Sequence, residues 1–214
     1  MPRDATATRE QLLDAATRLF AERGIHNVTV REVHEAAGQR NASALQYHFG
    51  SRENLLRAIV ARHQEPIDAA RAAWLERAGD LRGYTAALVE PLAQALLSPS
   101  GRDYLRIVTQ VVAELGLRDE LLTEPPNARR CVEAMAATLD DLPADVRATR
   151  VANVVLFVTH ALANRAVRVS ARRSVVDHDT FVADLVTSVV GALSAREDRR
   201  GRAARPRAAA TPRS

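Results

Sequence analysis

The stretch from Thr29 to Leu56, TVREVHEAAGQRNASALQYHFGSRENLL, constrains the fold more than any other part of the chain. Thr29 followed by Glu32 sets up a capping box, in which each side chain satisfies a free backbone N–H of the other residue. A short helix follows and ends at Gly38, where a left-handed backbone is cheap because glycine has no Cβ. A second short helix is expected over Asn41 to His48, then a break at Gly50, with Ser51 as N-cap of a longer helix. Two short helices about a tight turn allow the second to lie in a DNA major groove while the first braces it. The segment therefore has the layout of a helix-turn-helix DNA reader joined to further helices.

The rest of the chain carries apolar residues at helical spacing and no clean strand alternation. A first helix is predicted from Thr8, with Gln11 completing a capping box, to Arg23, with Gly24 as its C-terminal stop. Leu12, Ala16, Leu19 and Phe20 form its apolar stripe. The helix from Ser51 carries Leu55, Leu56, Ile59 and Val60 and extends to about Arg77, with a kink or break expected at Pro66. Further helices are expected over 83–97, 102–115, 127–140, 144–171 and 179–195, between breaks rich in Gly, Pro, Ser and Asp. The expected fold is all-α. Its domains are 6–66, 67–195 and a disordered, Arg-rich tail at 196–214 that lacks an apolar anchor.

Of the 214 residues, 47% are hydrophobic but only 4% aromatic, so aliphatic side chains and alanine must fill the core. All thirty basic residues are Arg, and the net charge is +4. Residues 1–62 carry nine Arg against seven acids, and 196–214 carry seven Arg against two. The ends are thus basic, which favours phosphate contact, although a solvated tail has the same composition. One cysteine, Cys131, excludes an internal disulfide and fits a reducing compartment. No signal peptide is evident, and the longest apolar stretch is interrupted by His160, Asn164, Arg165 and Arg168. A cytoplasmic protein without membrane contact is expected.

On the paired helices, Val30, Val33, Ala36, Ala37, Leu45 and Phe49 are expected to face inward, leaving Arg40, Asn41, Ser43, Gln46 and Tyr47 on a polar face. Arg matches guanine edges, and Asn or Gln matches adenine edges, each good pair being worth ~1–3 kcal/mol of discrimination. Tyr47, His48 and Arg52 are placed for phosphate, as is Thr29 with the free amides of its helix start. Each has a plainer alternative. Arg40, Asn41 and Gln46 fit ordinary solvent-exposed positions, Asn41 fits an N-cap, Tyr47 a core anchor, and His48 a packed elbow.

The segment resembles the DNA-binding domain of the TetR family of bacterial transcription regulators. The matching pieces are REQLLDAATRLFAERG (9–24), TVREVHEAAG (29–38) and YHFGSRENLL (47–56). Gln46 stands where the family usually has Tyr, the turn is one residue longer, and His34 replaces a small residue. His34 is expected to point outward. The resemblance implies a helical effector-binding and dimerisation domain after the reader. It implies a homodimer on a palindromic double-stranded operator, with a small apolar effector. Repression is the expected direction, and activation or ligand-independent regulation is the alternative.

The implied dimer interface would use the stripes Val151, Val155, Val158 and Leu162, and Phe181, Leu185, Val189 and Leu193; the same spacing also fits an internal core. Effector-pocket candidates are Trp74, Tyr84, Tyr104, Met135, Phe157, His160 and Asn164. No catalytic constellation, metal-ligand spacing or phosphate-cradling glycine loop stands out, so no cofactor, metal or enzymatic activity is expected. Two rivals are a helical enzyme or small-molecule carrier with a vestigial DNA motif, and an architectural protein that binds DNA through its Arg tail alone.

Overall fold

The computed structural model describes residues 2–39, 43–115 and 125–195. Among these the fold is all-α: α1 (Pro2–Arg23), α2 (Val30–Ala36), α3 (Ala44–Phe49), α4 (Arg52–Leu75), α5 (Leu81–Ala93), a 3₁₀ turn (Gln94–Leu97), α6 (Pro99–Leu115), α7 (Pro126–Ala137), α8 (Ala144–Ser170) and α9 (His178–Ser194). No helix of the described residues is long and apolar enough to cross a membrane. The tail at 196–214 lies outside the described residues.

Two hydrophobic clusters hold the helices together. The N-terminal cluster joins Leu12, Leu13, Ala16 and Phe20 of α1 to Val33, Leu45, Phe49, Leu55 and Ile59. Ile107 and Val111 of α6 belong to this cluster as well. The second cluster runs from Val60 through α5, α6, α7, α8 and α9 and is made of Leu, Val, Ala, Cys131, Met135 and Tyr104. Helix α4 serves both, with Ile59 in one cluster and Val60 in the other. Arg62 ties α4 to α1 through Asp14 at 2.6 Å and Glu10 at 3.5 Å.

Five local expectations are corrected, the last of them the stripes read as a dimer interface. Helix α1 begins at Pro2, so Thr8 is an interior residue rather than an N-cap. Helix α4 continues through Pro66 to Leu75. The expected break at Pro66 is thus absent: the proline removes one backbone donor within a helix whose Val60, Asp68 and Arg71 are buried on either side. In α2, Val33 is buried and Ala37 packs beside it, whereas Val30 and Ala36 are exposed. His34, expected outward, is only 5% exposed, and neither ring nitrogen has a partner among the described residues. One residue on from Val33 turns the helix by about 100°, so an α2 docked on Val33 and Ala37 carries His34 inward.

The fifth correction concerns the stripes read as a dimer interface. Val151, Val158, Leu162, Leu185, Val189 and Leu193 are buried inside the single chain, and Val155 and Phe181 pack against the same cluster. Helices α8 and α9 spend most of these faces on α5, α6 and each other, while half-buried Phe181 also borders the outer depression beside Phe157. The outward faces carry Phe157 and Val167, each 47% exposed, and, on α9, Ala183, Thr187, Ser188, Gly191 and Ala192.

Candidate functional site

Helix α2 is fastened at its start. The Thr29 side chain accepts from the Glu32 amide at 3.3 Å, and Glu32 Oε2 accepts from the Thr29 amide at 2.7 Å and from its hydroxyl at 2.8 Å. Arg23 pairs with the same carboxylate at 2.7 Å. The Thr29 amide and hydroxyl, and beside them Arg23, hold the Glu32 carboxyl down at about 2. The Thr29 hydroxyl is therefore committed to the capping box and is not the free phosphate donor expected from the sequence.

The chain turns through Gly38, whose φ of +66° lies in the left-handed region. Gln39 donates to the Gln11 side chain at 2.7 Å, tying the turn to α1. Arg40 and Asn41 lie outside the described residues. Ser43 is exposed at the N-cap position of α3 without a side-chain cap bond.

Helix α3 has one inner and one outer side. Ala44, Leu45 and Phe49 are buried in the N-terminal cluster, and the Arg9 guanidinium lies 5.3 Å from the centroid of the Phe49 ring. Gln46 is exposed and Tyr47 is 80% exposed, which removes the alternative of Tyr47 as a core anchor. His48 is half-buried; it meets Tyr47 edge-on at 5.0 Å and Phe49 at 6.3 Å. Ser43, Gln46 and Tyr47 thus project from a helix whose other side is locked by apolar contact. Such a helix presents hydrogen-bonding groups at fixed positions to a groove.

Arg52 departs from its expected phosphate role. Its guanidinium lies 5.1 Å from the centroid of the Phe20 ring, and Nη1 donates to the Val28 carbonyl. Nη2 is buried as well. Arg52 fastens the start of α4 to the end of the α1–α2 connection and is half-buried there.

A cavity of about 430 Å³ lies among α4, α5, α6, α7 and α8. Its walls are largely apolar and include Leu88, Leu92, Val108, Val132, Val151 and Val155, with Gln64, Arg71, Tyr104, Glu133 and Thr159 as polar groups. Of the seven expected pocket residues, only Tyr104 lines it. Met135 is sealed in the core and Tyr84 packs against that core, whereas Trp74 is exposed on α4. Phe157, His160 and Asn164 are on the outward face of α8, where they line a shallower depression of about 520 Å³ with Phe181, Arg165 and Val176. Sequence reasoning missed Arg71 and the valines of the inner cavity. Arg71 lies in no motif that the sequence marks.

The comparisons with known proteins agree with this architecture. Residues 12–59 match the family described as bacterial regulatory proteins, tetR family. The chain is 30% identical over 145 residues to the HTH-type transcriptional repressor Rv1474c of Mycobacterium tuberculosis, covering 68% of this chain and 70% of that protein. It is 32% identical over 110 residues to the HTH-type transcriptional repressor AcnR of Corynebacterium glutamicum, covering 51% of this chain and 52% of that one. The chain thus spans only about half the length of this second relative. In three dimensions it resembles a TetR family transcription regulator from Marinobacter aquaeolei, with a TM-score of 0.64 at 16% identity, over 90% of this chain and 98% of the other. That likeness extends the shared fold well beyond the reader segment. The chain belongs to the TetR family of bacterial transcription regulators.

Proposed function

We propose that the protein is a cytoplasmic, homodimeric repressor that reads a palindromic operator and releases it when a small molecule enters the inner cavity. The observation that carries this reading is α3. Gln46 and Tyr47 stand in solvent while Leu45 and Phe49 fix the helix from behind. Ser43, Gln46, Tyr47 and the edge of His48 form the proposed reading surface, together with Arg40 and Asn41 on the chemistry of their side chains. Residues 6–66 serve as the reader and 67–195 as the effector and dimerisation domain. The relatives named above are repressors, which supports that direction of regulation.

One α3 reads too few base pairs for useful specificity, and two-fold pairing doubles the site. The outward faces of α8 and α9 are the proposed pairing surface. Phe157 and Val167 are half-exposed there, and the depression beside Phe157 is available for a second copy to fill. Ligand response requires that the effector prefer the shape with weaker operator affinity. Helix α6 offers a route: Val108 lines the cavity, and Ile107 and Val111 sit in the reader's core.

Selection from random duplex DNA with the purified full chain tests the reading. An enriched palindrome, bound at least tenfold more weakly by Tyr47→Ala of unchanged stability, is expected (about 1.4 kcal/mol of lost contact). Enrichment of nothing, with only salt-labile binding, would remove it.

A further inference from the structure

Arg71 lies on α4, is 4% exposed and lines the inner cavity. Among the described residues its hydrogen-bond partner is Asp68, with Nη1 donating to Oδ1 at 3.3 Å. Asp68 is itself heavily engaged elsewhere. Its Oδ1 accepts from the Ala128 amide at 2.8 Å, and its Oδ2 accepts from the Asn127 amide at 3.1 Å. These are amides of the first turn of α7, so Asp68 caps that helix and shares its negative charge with the helix end. The pairing leaves the Arg71 charge only partly offset. Arg71 Nε is buried and has no acceptor among the described residues, and a buried donor left unmade is costly.

The surroundings bear on which ligand would supply that acceptor. Leu88, Leu92, Val108, Val151 and Val155 give an apolar body space beside the guanidinium. Burial pushes the Tyr104 hydroxyl up to about 12, so the hydroxyl stays a neutral group at the cavity wall. The carboxylate of Glu133 is exposed at the margin, where water solvates it. A cation entering this space would meet Arg71, and a neutral apolar molecule would leave Nε unmade.

We propose that the inner cavity binds an apolar molecule bearing one carboxylate, with the carboxylate on Arg71 Nε and the aliphatic body along Val108, Val151 and Val155. The proposal rests on this cavity being the effector site and names the class of its ligand. Charge-assisted bonds from a planar guanidinium to a carboxylate are among the stronger contacts available for that purpose.

The test is calorimetric titration of the full chain with three probes below their aggregation thresholds: decanoate, decanol and decylammonium. Decanoate is expected to bind at least about tenfold more tightly than decanol, and decylammonium more weakly than either. Arg71→Gln removes the positive charge and Nε while leaving a polar group beside Asp68, and it is expected to erase the preference of decanoate over decanol. Equal affinity of the wild-type chain for decanoate and decanol overturns the proposal without any variant, as does binding of none of the three. A preference that survives in folded Arg71→Gln overturns it too. Decanoate bound through Arg71 with operator affinity unmoved upholds this site and sinks the effector role. Operator release by decanol alone upholds the effector role and sinks this proposal.

Discussion

Gln110 Oε1, on α6, accepts the backbone N–H of Ile25 at 2.9 Å, across 85 residues of sequence. Ile25 is buried just past the end of α1, beside Gly24, whose φ of +93° turns the chain toward α2. The wall helix of the cavity is thereby bonded to the corner from which the reader helices depart. Gln110→Leu leaves the Ile25 amide without its acceptor and is expected to lower stability by about 1–3 kcal/mol in urea unfolding. The same variant is expected to weaken the effect of ligand on operator affinity more than it weakens operator binding itself. Ligand-induced release of wild-type size in Gln110→Leu would show that coupling runs through another contact.

Asp68 and Arg71 make a second, sharper prediction. Asp68 is 6% exposed and serves Arg71 and the first turn of α7 together. Asp68→Ala strands a buried guanidinium and uncaps α7, and is expected to cost about 3–5 kcal/mol. The double variant Asp68→Ala with Arg71→Met removes the stranded charge and is expected to recover a large part of that loss. Chemical denaturation of the two variants measures this. A double variant as unstable as the sum of its single changes would show that the two side chains do not act on each other.

Much of the architecture was legible because its signals are local. The Thr29–Glu32 capping box, the left-handed Gly38 and the breaks at Asp80 and Pro143 depend on neighbours within one helical turn, and each stands where the sequence places it. The burial of Leu45 and Phe49 against the exposure of Gln46 follows from the same short-range pattern. What failed depends on which partner covers a face. Helical periodicity shows that Val151, Leu162, Leu185 and Val189 share an apolar side, but not whether α5 and α6 or a second copy will cover it. Arg52 carries a charge one residue after an N-cap, a place that suggests phosphate; only the approach of Phe20 and the Val28 carbonyl turns it inward. His34 is buried because α2 docks through Val33 and Ala37, an orientation that no short pattern specifies. Cavity residues such as Arg71 and Val108 come from helices far apart in sequence, so no single stretch marks them.

Glu32 gives a pH prediction. Bonds from Thr29, with Arg23 alongside, hold its carboxyl at about 2 in the folded chain, against an ordinary value of 4.5. A carboxyl with a depressed folded value contributes stability above its unfolded value and loses it as pH falls through the folded one. The stability advantage of the wild-type chain over Glu32→Gln is therefore expected to be constant above about pH 5 and to fade between about 4.5 and 2. Carboxyl titration by NMR with parallel unfolding curves checks both halves. A Glu32 carboxyl that titrates near 4.5, or an advantage that grows on acidification, would contradict the capping geometry.

Gly191 on α9 separates the two faces of that helix. A Cβ added there meets nothing within 4 Å of its own chain, while Val189, two residues earlier, is fully buried. Glycine inside a helix costs about 0.5–1 kcal/mol relative to alanine, so Gly191→Ala is expected to stabilise an isolated protomer by about that much. Arginine is also a good helix former, and Gly191→Arg should leave the protomer folded while placing a long charged side chain on the proposed pairing surface. Sedimentation velocity is expected to show the wild-type chain as a dimer and Gly191→Arg as a folded monomer with weakened binding to a palindromic operator. Val189→Arg, by contrast, forces a charge into the core and is expected to unfold the chain whatever its association state. A Gly191→Arg protein that remains a dimer at wild-type concentrations would move the interface off this face of α9.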